Sequence, residues 1–542
     1  MPDATDCLII GFNEGDFPQY VDLLRAQGER SGGFRDLRLA YADYRGQPHR
    51  ALDLLNTLRS EIDPGLPTGL SNVDFVAPAI LVLGSRLLAA GLSVDYANLF
   101  QQDNELLVEK LRSEHFRSVA ITTTLYVYPE PVREIVALVR KIAPETTVIV
   151  GGPYIANQAR IYSGQLLEEL LDYLGCDIYV FAREGEATLA AVVQNLRDNR
   201  PLDEVPNLGF RSAKAEEGYI FTPTQVEDND LGAKIDYRKF GFPGYRSGRF
   251  VSVRTAKSCP FHCAFCAFPA HSGKYTYLNI NDVERKLDEI AAIGTIDTLS
   301  FIDDTFNVPR RRFESVLQLL IRKQYPFKWN CFYRSDHGND DIIAMMKAAG
   351  CEGVFLGVES GSDAMLERMQ KSSRRRHYTA ALRGFREAGI STYASFIIGF
   401  PGETRDTFRE TASLIEEERP DYFRAQLWYC DPVTPVYQSR ERYGIRGEAF
   451  NWRHNTMDAS EAADMIEALF LSARNSTWMP QWGFEQWSTF YLQRLGMTRA
   501  QVCRYVKLFN GMIGEQITGR CADAVQSPLL PEVRELSMFG PR

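Results

Sequence analysis

Residues 250–266 read Phe-Val-Ser-Val-Arg-Thr-Ala-Lys-Ser-Cys-Pro-Phe-His-Cys-Ala-Phe-Cys. An apolar strand near Phe250–Arg254 runs into Cys259, Cys263 and Cys266, spaced by three residues and then two. Three thiolates on one short loop can hold three irons of a [4Fe–4S] cluster, whose usual complement is four cysteines. The missing fourth ligand leaves one iron open to chelation, for instance by the amino and carboxylate groups of a methionine derivative. A structural zinc loop with His262 as fourth ligand is the alternative. Zinc sites usually combine two separated ligand pairs, however, and no second pair is evident. The other seven cysteines, Cys7, Cys176, Cys331, Cys351, Cys430, Cys503 and Cys521, are scattered. They read as buried thiols, not as a disulfide framework.

Working downstream, apolar strands alternate with helical stretches. They lie near Phe250–Arg254, Thr298–Ile302, Lys328–Tyr333, Gly353–Val358, Thr392–Ile398 and Arg424–Tyr429. Repeated strand–helix units favour a partial (β/α)6 barrel with its chemistry at the C-terminal strand ends. Beyond residue 434 the pattern turns helical and aromatic, with Trp452, Trp478, Trp482, Trp487 and Tyr491. Upstream, Asp6–Phe12, Val94–Tyr96, Ser118–Thr122, Thr147–Val150 and Asp177–Phe181 are short apolar runs separated by helical patterns. That is the signature of a doubly wound, Rossmann-like α/β domain. The expected organisation is a first domain over 1–200, interrupted by an insertion at about 13–76. A linker over 201–245 follows, with room for one hairpin and a solvated acidic stretch at 227–230. The barrel spans 246–433 and a mainly helical C-terminal cap region 434–542.

Lys+Arg 61 against Asp+Glu 70 gives −9, so no global basic field recruits nucleic acid or anionic lipid. No apolar run reaches the ~18 residues a membrane span requires. The opening residues show no secretory leader, so a cytoplasmic protein is expected.

The cysteine loop resembles that of the radical S-adenosylmethionine (SAM) superfamily, over roughly Phe250 to Tyr429. The resemblance implies that Cys259, Cys263 and Cys266 bind a [4Fe–4S] cluster and that Phe265 lies beside the adenine of SAM. Ser300–Phe306, with Asp303 and Asp304, matches a strand-end motif common in the cobalamin-dependent branch. Gly357–Gly361, with Glu359 and Ser360, matches a strand end facing the ribose and methionine moieties of SAM. Gly399–Glu403 resembles the glycine turn near the adenine. Arg334 closes the third barrel strand, where it could pair with a carboxylate of SAM or substrate, or with Asp336.

The amino-terminal domain resembles the cobalamin-binding domain of that branch. The residues carried over are Thr122, Thr123 and Thr124, then Gly151, Gly152 and Pro153, then Glu184, Gly185 and Glu186. All close predicted parallel strands, the edge where such sheets bind ligands. A nicotinamide site is disfavoured because no GxGxxG opens the first helix. The usual Asp-x-His-x-x-Gly motif is absent, the chain reading Gly11-Phe12-Asn13-Glu14-Gly15-Asp16. No motif histidine is then expected on cobalt, and the insertion is expected to cover the lower face of the corrin; Arg45 and Arg50 could protrude toward it, but their default reading is solvated surface charge. The segments 6–13 and 34–37 resemble phosphinothricin-type P-methyltransferases, whose architecture the tryptophan C-methylases share.

The resemblance implies a methyltransferase that moves a methyl group from SAM, via methylcobalamin, to an unactivated P or C centre in natural-product biosynthesis. Its substrate would be a small molecule, a peptide or a carrier-tethered intermediate, and it would need an external one-electron reductant. The alternatives are a cobalamin-dependent radical cyclase or rearrangement enzyme and a non-enzymatic corrinoid-binding protein. A methylthiotransferase would carry a second cysteine trio in the amino-terminal domain, which is not found.

Overall fold

The apolar run at Cys7–Ile10 becomes the core of strand Thr5–Phe12, buried along both faces as helices on each side of a sheet require. In the computed structural model, which describes residues 4–66, 68–211, 218–227, 231–240 and 249–540, this strand pairs in parallel with two neighbours. Val94–Leu99 lies on one side and Phe116–Thr122 on the other. Thr147–Gly151 and Ile178–Val180 continue the parallel sheet. The five parallel strands, numbered in chain order, lie 2-1-3-4-5. The winding therefore reverses between Thr5–Phe12 and Phe116–Thr122, which opens a crevice at their C-terminal ends. Helix Glu130–Ile142 covers one face, burying Val132, Ile135 and Val139 against Leu8, Ile10, Val119 and Ile121.

The expected linker is partly sheet. Leu208–Arg211 pairs antiparallel with Ile178–Val180, and Tyr219–Phe221 pairs antiparallel with it in turn, making seven strands. Glu227 is not mere solvated charge: its carboxylate accepts from the backbone N–H of Ala187 (2.8 Å) and Thr188 (3.0 Å). It thereby satisfies the first turn of helix Glu186–Arg197. The rest of the acidic stretch, 228–230, and segments 212–217 and 241–245 lie outside the described residues.

All six expected barrel strands form: Phe250–Val253, Thr298–Phe301, Lys328–Tyr333, Cys351–Glu359, Ser391–Ile398 and Tyr422–Leu427. They pair in parallel and in chain order. The C-terminal region, expected to be helical, adds a seventh parallel strand, Thr477–Trp478, beside Tyr422–Phe423. One face of this open barrel carries Val251, Leu299 and Trp329 in a row, and Tyr333 of the same face packs edge-on against Phe385 of helix Arg375–Ala388. The opposite, inner face carries Ser252, Ser300 and Asn330 side by side, then Phe332, Phe355 and Tyr393. A polar, aromatic interior between apolar outer rows is the reverse of a sheet folded only for stability.

The chain divides into two compact units, Met1–Asp16 with Phe75–Gly248 and Phe17–Asp74 with Arg249–Arg542. The insertion therefore belongs to the barrel's unit and not to the first domain over 1–200, in which the sequence places it. Its polar, Gly- and Arg-rich sequence makes sense once its partners are seen. Arg424, fully buried, donates to the carbonyl (3.0 Å) and carboxylate (3.1 Å) of Asp36. Gln516 exchanges two hydrogen bonds with the backbone of Asp43, at 3.0 and 2.8 Å. Arg59, 2% exposed, donates to the carbonyls of Ser537 (2.8 Å) and Phe539 (2.7 Å) and lies over the Phe539 ring at 4.3 Å. Arg45 pairs with Glu61, and Arg50 with Asp53 while lying over Phe17. Both arginines hold the insertion together. Among the described residues no helix is long and apolar enough to cross a membrane.

Because Arg59 satisfies two buried carbonyls, Arg59→Met should cost about 2–4 kcal/mol. Urea unfolding monitored by tryptophan fluorescence would measure this, and limited proteolysis should release the segment after residue 530 first.

Candidate functional site

The first barrel strand ends at Val253 and the chain turns at once into the cysteine loop. What fixes that turn is Asp303, wholly buried. Its carboxylate accepts from the backbone N–H of Thr255 (2.5 Å) and Ala256 (2.9 Å) and from the Thr255 hydroxyl. Arg312 stands behind it at 3.9 Å, itself 8% exposed, and donates to the Thr255 carbonyl at 3.1 Å. Asp303 is thus a positioning residue for the loop. Asp304, its neighbour, is exposed.

Further along, Ala264 N–H donates to Met369 O and Val436 N–H to Ala264 O, both at 2.9 Å, so the loop's centre is strung between two other segments. Arg334 lies over Phe261, inside the cysteine loop, with Cζ 3.6 Å from the ring centroid. Its guanidinium pairs with Asp336 at 3.0 Å and donates to Ser372 at 2.8 Å. Of the two roles open to Arg334, the ion pair is the one formed, and it holds the loop by stacking. Charge from Arg334 in turn holds the Asp336 carboxyl, despite its burial, well below the usual carboxylate range.

Cys263 is buried and Cys259 and Cys266 are half-buried, all three as free thiols. Burial pushes the Cys259 thiol up, and it pushes Cys266 to about 11, with the charges of Cys263, Cys259 and Glu359 adding to the effect. Such thiols hold their protons until a cation draws them off, as metal ligands do. Among the described residues no three His, Cys, Asp or Glu side chains converge on a single ion point. His262, the fourth ligand of the zinc alternative, is exposed. A cluster asks for something else: one thiol per iron around a volume, which a loop with three cysteines and no fourth ligand fits. The Thr305 hydroxyl is buried beside Cys259, and its hydrogen bond to that thiol opposes the larger effect of burial. Phe265 is half-buried and has no ring partner among the described residues.

Glu359 ends its strand at φ +67°, a strained setting for a non-glycine residue. Its Oε1 lies 3.0 Å from Lys371 Nζ, and Lys371 also donates to the Gly357 carbonyl. Burial would lower the Lys371 ammonium, but the Glu359 charge outweighs it and holds the group protonated. Lys371 was invisible in the motifs, since it sits on a separate segment twelve residues on. The other two expected SAM residues are committed to packing. Ser360, 1% exposed, bonds the Thr411 hydroxyl at 3.3 Å and accepts from Ser362 N–H at 3.1 Å. Gly399, at φ +89°, leaves space that is already filled: an added Cβ would lie 2.5 Å from the Trp452 ring and 2.9 Å from Ala462. Its carbonyl meets His454 Nε2 at 3.0 Å, and its N–H donates to Glu403.

In the other unit, the sheet brings Thr122–Thr124, Gly151–Pro153 and Glu184–Glu186 to neighbouring strand ends. Thr123 is spent on structure, since its hydroxyl (2.8 Å) and N–H (3.0 Å) both donate to the Gly151 carbonyl. Gly152, at φ +106°, passes so close that an added Cβ would sit 3.0 Å from the Thr123 hydroxyl. Helix Pro153–Ile161 starts there with no side-chain cap, whereas the helix after Gly185 has its first N–H groups taken by Glu227. Thr124 is exposed, and Leu125 (56%) and Val127 (65%) expose apolar side chains on the same segment. The motif ended one residue too early to include them. The Leu-Tyr-Val-Tyr run after the threonines was the available signal. Asn13, where a cobalt-ligating motif would begin, is 1% exposed and bound to Pro131 O, Glu134 and Tyr126.

Comparison with known proteins bears on both units. Residues 253–415 match the Radical SAM superfamily, so the barrel is a radical SAM domain, of a family built on a [4Fe–4S] cluster and SAM. An uncharacterized methyltransferase of Pyrococcus horikoshii is 25% identical over 59% of this chain and 68% of its own length. Anaerobic magnesium-protoporphyrin IX monomethyl ester cyclase of Cereibacter sphaeroides is 26% identical over 62% of this chain. The chain spans only 55% of that cyclase's length. The radical SAM methyltransferase TsrM of Kitasatospora setae, solved with cobalamin and a [4Fe–4S] cluster bound, superposes with a TM-score of 0.55 at 19% identity. That match covers 69% of this chain and 74% of TsrM. At that identity the likeness is one of fold.

Two outcomes follow from the barrel site. Asp303→Ala should cost about 3–5 kcal/mol, because it leaves Arg312 buried beside an unsatisfied turn; urea unfolding measures it. Burial, only partly offset by the Gly399 N–H, pushes the Glu403 carboxyl from 4.5 up to about 8. The folded state then keeps a proton that the unfolded state releases, so stability should be highest below the unfolded value and fall as pH rises from about 4.5 to 8. Glu403→Gln should flatten that fall in urea titrations across the range.

Proposed function

We propose that the protein is a cobalamin-dependent radical SAM methyltransferase that carries a methyl group from SAM to an unactivated P or C centre, in natural-product biosynthesis. The observation that carries the reading is the cysteine loop. Three thiols and no fourth ligand, clamped at the mouth of a polar-lined barrel, share a chain with a 2-1-3-4-5 sheet whose crevice is edged by glycine and threonine. The bound cofactors would supply one-electron cleavage of SAM and a cobalt centre able to relay the methyl group. Cys259, Cys263 and Cys266 would hold the cluster, while Asp303 and Arg334 fix the loop that bears them. Phe265 would give the adenine a face, and Glu359, aligned by Lys371, would accept hydrogen bonds from SAM. Asp304, exposed beside Asp303, would border the same ligand. On the sheet, Thr124, Gly151, Gly152, Pro153 and the Glu184–Glu186 turn would border the corrinoid, with Leu125 and Val127 shielding it from water. No histidine lies between Asn13 and His49, so the motif position after the first strand offers cobalt no imidazole.

A P–H or C–H acceptor fits because neither is a nucleophile able to displace the methyl of SAM directly. The substrate would be a small molecule, a peptide or a carrier-tethered intermediate, and an external one-electron donor is needed. The cyclase relative supports a second reading, ring formation with the same cofactors and no methyl transfer. Candidate acceptors incubated with methyl-deuterated SAM separate the two: labelled product supports the methyltransferase, and an unlabelled cyclised product supports the cyclase.

After anaerobic reconstitution with iron, sulfide and hydroxocobalamin, Cys263→Ala should lose the cluster spectrum and 5′-deoxyadenosine formation while keeping the corrinoid absorption. Retention of the cluster spectrum in that variant contradicts the assignment.

A further inference from the structure

Away from both sites, a cleft of about 470 Å³ opens in the barrel's unit between helices Ala459–Ser472 and Arg499–Ile517 and strand Thr477–Trp478. Phe423, Phe470 and Trp478 line it, with Phe470 and Trp478 edge to face at 5.2 Å. Three cations also line it, Arg474, Lys507 and Arg520, against one carboxylate, Glu515. All three cations are exposed, and among the described residues none of their side chains makes an ion pair or hydrogen bond. This is not the habit of the surrounding surface. Arg504, one turn from Lys507, pairs with Glu532 through two hydrogen bonds. Glu515 is occupied elsewhere, accepting from the Ser527 hydroxyl at 2.6 Å. Three like charges gathered around one apolar recess repel one another and raise its affinity for anions. Below them, Trp478 is 3% exposed and its Nε1 has no acceptor, while Asn510 Oδ1 has no donor.

We propose that this cleft binds a small organic phosphate monoester, its ring against the exposed edges of Phe470 and Trp478 and its phosphate held by Arg474, Lys507 and Arg520. The charges match: three cations less one carboxylate leave two positive charges for a dianion. A recess of this size is within the range that encloses a metabolite. The site is independent of the cluster loop, so it stands or falls whichever reaction the barrel performs.

The test is calorimetric titration of the reconstituted protein with phenyl phosphate, inorganic phosphate and phenol at low salt. Phenyl phosphate should bind at one site, more tightly than inorganic phosphate, with phenol silent. The triple variant R474A/K507A/R520A, which alters only exposed side chains, should keep the wild-type melting temperature and bind phenyl phosphate about tenfold more weakly or worse. Raising ionic strength should weaken wild type more than the variant. No binding of phenyl phosphate to wild type, equal affinity for inorganic phosphate, or unchanged affinity in the triple variant would each overturn the proposal.

Discussion

A single buried carboxylate determines where the chemistry of this molecule can sit. Asp303 collects two backbone N–H groups and a hydroxyl from the Thr255–Ala256 turn, with Arg312 as countercharge behind it. Charge-assisted bonds of this kind are roughly twice as strong as neutral ones. They act where the first barrel strand must stop being a strand and become a ligand loop. Without that anchor, three cysteines on a surface excursion would sample many separations. With it, and with the Arg334 guanidinium pressed on Phe261, the loop is pre-organised, so little ordering entropy remains to be lost when metal binds.

The strand-end motifs divide their labour between neighbours. In two of them a buried residue sets the backbone beside an exposed one, Asp303 beside Asp304 and Thr123 beside Thr124, and in the third buried Ser360 follows Glu359, which is paired with Lys371. A motif match therefore locates a site better than it assigns its contacts. Gly399 is the extreme case, a motif glycine whose missing side chain makes room for Trp452.

Most of the architecture was legible because it rests on local signals. Apolar runs of strand length bounded by glycine predicted the five parallel strands and the six barrel strands, and the cysteine spacing marked the loop. What could not be read was anything decided by distant partners. The insertion looked like an appendage of the sheet because its neighbours in sequence are sheet. Its hydrogen-bond partners, Arg424, Gln516 and the carbonyls near 537–539, lie hundreds of residues away. The two-residue strand Thr477–Trp478 is too short to show a period. Lys371, which aligns Glu359, belongs to no motif. Arg334 was correctly left with two roles, since only geometry could choose Asp336.

The route of the insertion also has a consequence for synthesis on the ribosome. Residues 17–74 emerge early, with Leu52, Leu54, Leu55 and Leu58 destined for full or nearly full burial, yet their docking partners are among the last to be translated. At about 5–20 residues per second, that wait is on the order of half a minute to a minute and a half. For that interval a greasy helix and an unsatisfied arginine hang between a sheet begun and a barrel not yet made. The nascent chain is thus an obvious client for a holdase, and slow or interrupted elongation would be paid for in aggregation.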